Sequence, residues 1–285
     1  MASNKKLVKA VKKWLCADDF ELPIFNQTSL ELQAAIVHDD FDLGNCSRLI
    51  QRDQALAGQV LREANSSFYV SLRPITTIED AIVRLGAEEI LRLTMLIAQR
   101  ELYFCKHEAM LEPMEKIWQH ALAVATGAAW LARRVGCPDR GQIMFLGGLL
   151  HDVGQLMVLR ALDDMFFAGE IEDLNRDMLL TCVNELHVDQ GVRLMKAWNI
   201  PQIYLDIIAL HHRIRQDVTQ KPSMIVQIAD RMSSKLGISL YRYDDRIDLI
   251  ETLAAKDLHI SEDSIQEMEM MLLEKFKPKD IHLTS

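Results

Sequence analysis

The 285-residue chain is 49% hydrophobic and 26% charged, a composition that excludes a disordered chain and suits one large globular domain or two small ones. Its formal net charge of −9 leaves no electrostatic footprint for non-specific nucleic-acid binding. No apolar run approaches the ~20 residues of a membrane span, the N-terminus lacks the apolar core of a signal peptide, and five scattered cysteines (Cys16, Cys46, Cys105, Cys137, Cys182) read as reduced thiols, so a cytoplasmic location away from membranes is expected.

Apolar residues recur at helical spacing nearly everywhere, which predicts an all-α fold. Lys5, Lys6, Lys9, Lys12 and Lys13 fall on the solvated face of a short first helix that buries Val8, Val11 and Leu15. The periodicity then predicts a helix over 29–37, a turn at Asp42-Leu43-Gly44, and a helix capped by Asp53 that runs to Ala64. Asn65-Ser66-Ser67 ends it, because these side chains compete for backbone hydrogen bonds. Phe68-Tyr69-Val70 is the one strand-like run, and Pro74 closes it. Thr76 or Thr77 with Glu79 or Asp80 is a capping box that opens a helix over 81–85; Gly86 closes it, and 87–100 continues helical.

A second region begins near Pro113, with a long helix over 115–134 ended by Gly136. Asp139 starts another that runs through Leu150 and is stopped by Gly154. Later helices are predicted over 188–198, 201–211 and 222–236, with Pro201 and Pro222 in first-turn positions. Two amphipathic segments follow, the last over 265–276. The expected organisation is an N-terminal helix (1–20), a helical subdomain (21–108), a metal-binding helical subdomain (109–240) and a helical extension (241–285).

Four polar interruptions of apolar helices carry the chemistry. His120 sits in Ile-Trp-Gln-His-Ala-Leu-Ala-Val-Ala, His151-Asp152 ends Phe-Leu-Gly-Gly-Leu-Leu, His211-His212 ends Ile-Ile-Ala-Leu, and Asp230 ends Ile-Val-Gln-Ile-Ala. Burying each group alone is costly, and a shared cation satisfies them together. Both adjacent pairs fall at predicted helix C-termini, where the helix dipole favours positive charge. His38, His107, His259 and His282 read as solvated, Glu185 and Asp189 as surface carboxylates, and Met268, Met270 and Met271 as adaptable core. Trp118, Trp130 and Trp198 suit packing between helices, and Gly147-Gly148 suits close helix contact.

His120, His151-Asp152 and Asp230, in that order, resemble the signature of the HD superfamily of metal-dependent phosphohydrolases. The resemblance extends through His187 and His211-His212, which match the extra ligands of its two-metal members. From Leu22-Pro23 to about His212, some two thirds of the chain resembles the HDOD (HD-related output domain) family of bacterial signalling. It does so through Asp53 with Leu56, Leu61-Arg62-Glu63-Ala64-Asn65-Ser66, residues 75–81, Leu85-Gly86 and Trp198-Asn199-Ile200-Pro201. What this implies is an HD-domain-like helical bundle holding one or two divalent ions (Fe, Mn, Zn or Mg) on His120, His151, Asp152, His187, His211, His212 and Asp230. Asp152 would bridge the ions and orient or deprotonate a water for attack on a nucleotide or other phosphoester.

The chain departs from the cyclic-di-GMP-hydrolysing HD-GYP branch at three points. Gln155 stands where that branch carries a lysine, Arg213-Ile214-Arg215-Gln216-Asp217 replaces its Gly-Tyr-Pro loop, and Lys116 occupies a position that is a carboxylate ligand in some members. Transition-state charge would then fall to the ions and to Lys116, Arg213 or Arg215. HDOD domains are usually degenerate at the HD positions and act as non-catalytic modules, which implies the alternative of a metal-controlled docking module for signalling proteins. Di-iron oxidation, as in some HD-superfamily members, is the third reading.

Overall fold

The computed structural model describes residues 2–17, 20–23, 28, 31–32, 43–66, 74–213, 220–244 and 246–276. Every regular element among them is helical, as the periodicity predicts. The chain divides into two compact units, one built from Met1–Pro23 with Tyr103–Ser285 and the other from Ile24–Leu102. Helix α1 (Ala2–Leu15) belongs to the first; it buries Leu7, Val8, Val11 and Leu15 and leaves all five lysines exposed.

The Ile24–Leu102 unit contains α2 (Leu43–Arg52), α3 (Gln54–Ala64), α4 (Ile78–Leu85) and α5 (Ala87–Arg100). Of the turn expected at Asp42-Leu43-Gly44, Asp42 lies outside the described residues, and Leu43 and Gly44 form the first turn of α2 instead. Burial of Cys46, Leu49 and Ile50 on one face outweighs the local turn signal there. Both caps form as expected: Asp53 Oδ1 accepts from the Leu56 N–H at 3.0 Å, and Thr77 Oγ1 accepts from the Asp80 N–H at 3.0 Å. Gly86 closes α4 at φ +85°, where a side chain would be strained. Helix α4 starts three residues earlier than predicted, immediately after its cap.

Asn65 explains its place in the sequence motif. Its side chain receives the Ile75 N–H and donates to the Ile75 carbonyl, both at 2.8 Å, and so ties the end of α3 to the segment entering α4. Asn65→Ala is expected to cost about 1–3 kcal/mol, because two backbone groups of a buried residue lose their partner; a denaturant titration reads the loss. Most of the helix predicted over 29–37, the run Phe68-Tyr69-Val70, and His38 and His282 lie outside the described residues.

The other unit continues with α6 (Leu111–Arg134), α7 (Gly141–Leu150), α8 (Val153–Phe167), α9 (Arg176–Ala197), α10 (Gln202–Leu210), α11 (Lys221–Lys235), α12 (Leu253–Asp257) and α13 (Glu262–Lys275). Helix α6 packs on α7, α11 and α13, while α8 and α9 pair with each other and are covered by α1. Met114, Leu131, Met144, Leu149, Leu150, Leu156 and Tyr204 are fully buried, each apolar side chain contributing about 1.5–3 kcal/mol. Asn199, at φ +52°, turns the chain after α9, and Trp198 Nε1 donates to the Pro23 carbonyl at 2.8 Å.

Several expectations need correction in this unit. Helix α6 begins at Leu111 and takes Pro113 into its first turn, where a missing N–H costs nothing. Gly154 does not stop a helix; it lies in the first turn of α8, and the break falls at His151-Asp152. A Cβ on Gly154 would stand 1.7 Å from the His187 carbonyl oxygen and 2.6 Å from the Gly191 nitrogen, so the glycine serves the contact between α8 and α9. Gly147 and Gly148 do serve close packing, with a Cβ on Gly148 meeting the Ala125 backbone at 2.7 Å. His107 is half-buried rather than solvated, stacked on Phe166 at 4.5 Å, and Met270 is 62% exposed rather than core. The segment Gly141–Phe167 is, contrary to expectation, long and apolar enough by composition to cross a membrane, but its most apolar window is 83% buried inside the protein.

Candidate metal centre

Five elements of this one unit deliver seven side chains to a single point. His120 comes from the middle of α6, His187 from α9 and Asp230 from α11. His151 and His211 cap the C-termini of α7 and α10, as expected, with Asp152 and His212 immediately following. Glu185 and Asp189 stand apart from this set.

Asp152 is the centre of the arrangement, its side chain only 9% exposed. Its Oδ2 lies 3.3 Å from His151 Nε2 and 3.7 Å from His120 Nε2; its Oδ1 lies 3.3 Å from His211 Nε2 and 3.6 Å from His187 Nε2. Asp230 Oδ1 reaches His120 Nε2 at 3.2 Å, and His212 Nε2 faces His187 Nε2 at 2.9 Å. Two ligand groups result, His120-His151-Asp152 and Asp152-His187-His211-His212, with the candidate ligand atoms of each within 4.8 Å of one another.

Backbone carbonyls fix the ring orientations. His120 Nδ1 donates to Ile238 O at 2.7 Å, His151 Nδ1 to Gly148 O at 2.7 Å, His187 Nδ1 to Val183 O at 2.9 Å and His211 Nδ1 to Ile208 O at 2.8 Å. A carbonyl only accepts, so each Nδ1 carries a hydrogen and Nε2 is the atom that each ring turns inward. Three of these inward atoms (His151 Nε2, His211 Nε2 and Asp152 Oδ1) are buried without any hydrogen-bond partner. Orphaned imidazole and carboxylate acceptors converging on one point are a donor set suited to a divalent cation, with second-sphere hydrogen bonds already in place.

The charges agree with this. Burial pushes the Asp152 carboxyl upward, but the surrounding imidazoles, His151 first and then His211 and His187, outweigh it and hold the group well below the ordinary carboxylate range. Asp230 is likewise pushed up by burial and pulled down by His120, to about 2. His212 is the exposed member of the set, yet desolvation of its ring and then the charge of His211 lower its pKa to about 4. A neutral imidazole there is a ligand rather than a counter-ion.

Two glutamines hold the frame. Gln155 Nε2 donates to Asp152 Oδ2, and Gln227 Nε2 donates to the carbonyls of His211 at 2.7 Å and Arg213 at 2.9 Å, satisfying the end of α10. Gln227 is not among the sequence candidates, although a glutamine within Ile-Val-Gln-Ile-Ala is a signal of the same kind as His120. The basic candidates are less well placed: Lys116 Nζ is paired with Glu112 at 2.6 Å, the Arg213 side chain is exposed, and Arg215 lies outside the described residues.

The comparisons agree with this architecture. The HDOD domain family model matches residues 22–214. A crystal structure of an HDOD domain protein from Geobacter sulfurreducens superposes with a TM-score of 0.70 at 21% identity, covering 95% of this chain and 98% of that one. A Shewanella amazonensis SB2B protein whose name proposes a metal-dependent phosphohydrolase gives 0.69 at 19% identity, over 97% and 100% of the two chains. A Marinobacter aquaeolei VT8 protein whose name proposes a role in signal transduction gives 0.71 at 19%, over 96% and 64%. In sequence, an uncharacterized Treponema pallidum (strain Nichols) protein is 25% identical over 215 residues, 73% of this chain but only 41% of the relative's own length. With the family model covering about two thirds of its length, and the motif residues Asp53, Asn65 and Trp198 each making the contact that accounts for their place, the chain belongs to the HDOD domain family.

Proposed function

We propose that this chain is a metal-dependent phosphohydrolase acting on a nucleotide or another phosphoester, working as a cytoplasmic signalling component. The observation that carries the reading is the convergence of orphaned Nε2 and carboxylate atoms on both sides of Asp152. His120, His151, Asp230 and Asp152 Oδ2 would hold one ion, and His187, His211, His212 and Asp152 Oδ1 a second. Bound divalent metal supplies Lewis acidity toward a phosphoryl oxygen and acidifies water. The residues do the rest: Asp152 joins the two halves and is positioned to accept a proton, Gln155 fixes its carboxylate, and the carbonyl-anchored rings keep the donors from turning away.

A panel of phosphoesters incubated with Mn²⁺, Fe²⁺ or Mg²⁺ tests this. At least one substrate is expected to be turned over, with Asp152→Ala slower by about 10²–10³-fold or more. Wild type no faster than that variant on every substrate removes the hydrolytic reading. One observation favours the alternative, a non-catalytic module whose metal controls docking of partner proteins: Gln155, which replaces the lysine of the HD-GYP branch, spends its amide on Asp152.

A further inference from the structure

The orphaned atoms that converge on Asp152 are all acceptors. The loop that follows α11 supplies an orphaned donor, the Tyr241 hydroxyl, which is buried and has no hydrogen-bond partner among the described residues. This loop is part of the centre's wall. Its Ile238 carbonyl anchors His120, its Leu240 carbonyl accepts from Arg176 at 2.9 Å, and the Tyr241 N–H is bound by Ser239 Oγ at 3.1 Å. The loop backbone is therefore tied to His120 and α9, and the phenol's hydroxyl is turned away from solvent.

We propose that Tyr241 donates its phenolic hydrogen to an oxygen of a tetrahedral oxyanion, a phosphoryl group or free phosphate, held at the centre. Burial, and then the charges of Asp152 and Asp230, push its pKa up, so it stays a neutral donor. Neither carboxylate bonds the hydroxyl. A buried donor without a partner, on the loop whose Ile238 carbonyl anchors His120, is satisfied by an oxygen of an anion bound at the centre. Neither Gln155 nor Lys116 fills this role, since the first is committed to Asp152 and the second to Glu112. Tyr241 lies beyond residues 22–214, which the family model matches.

The inference rests on the proposed metal centre, and its test separates the two. Wild type and Tyr241→Phe are loaded with Mn²⁺, their metal content is measured, and inorganic phosphate is titrated calorimetrically. Tyr241→Phe is expected to keep the wild-type metal content and to bind phosphate about tenfold more weakly, the loss of one hydrogen bond to a charged group. Equal phosphate affinity in the two proteins overturns the inference and leaves the metal centre standing; so does metal-loaded wild type that binds no phosphate, or a variant that loses its metal. Wild type that takes up no metal overturns the centre and the inference together. If the variant melts early, ultraviolet difference spectra of loaded wild type decide: phosphate is expected to shift a buried tyrosine band, and an unchanged spectrum overturns the assignment.

Discussion

Asp152→Ala is expected to empty both halves of the centre at once, with metal affinity falling more than about 100-fold as read by elemental analysis after dialysis. The loss exceeds the roughly 10–100-fold typical of removing an outer-sphere partner, because Asp152 gives one oxygen to each ligand group. It also takes away the negative charge around which four imidazoles are gathered, with His151 and His211 fully buried. The variant keeps a cluster of rings with one carboxylate, Asp230, on the His120 side and none beside His187 and His211. Retention of half the wild-type metal would mean that Asp152 serves one group only.

Gly154→Ala is expected to destabilise the protein by about 3 kcal/mol or more and to weaken metal binding in the same step. The added Cβ meets backbone, the His187 carbonyl oxygen at 1.7 Å, so no side-chain rotation relieves the clash and α8 must move off α9. His187 is carried with it. Gly58→Ala is the matched control: it lies inside α3 with nothing within 4 Å of an added methyl and should be neutral or stabilising by up to about 1 kcal/mol. Equal denaturation midpoints for the two variants would contradict the close approach of α8 and α9.

The parts of this structure legible in the sequence are those whose signals are local. Asp53 and Thr77 cap the expected helices because a cap is decided within four residues. His120, Asp230 and the two adjacent pairs announce themselves as polar groups in apolar runs, and the structure brings them together, Asp230 through its contact with His120. His187 is reached only through the family resemblance, since Asn-Glu-Leu-His-Val-Asp reads as a surface segment; its burial is imposed by α8 and α10. Helix α8 escapes the sequence pattern because His-Asp followed by Gly154 looks like a terminator, whereas the glycine is set by a backbone 33 positions later in the chain. Gln227 acts across the fold, on the end of α10, and nothing in its neighbours' sequence records that partner.

Metal stoichiometry in wild type, His120→Ala and His211→Ala, each reconstituted anaerobically with Fe²⁺ or Mn²⁺ and counted per chain, is the most direct test of the two-ion centre. A bridged pair predicts two ions in wild type and one in each variant, because the two histidines address opposite oxygens of Asp152. A single ion in wild type contradicts the bridged pair, and none contradicts the centre itself.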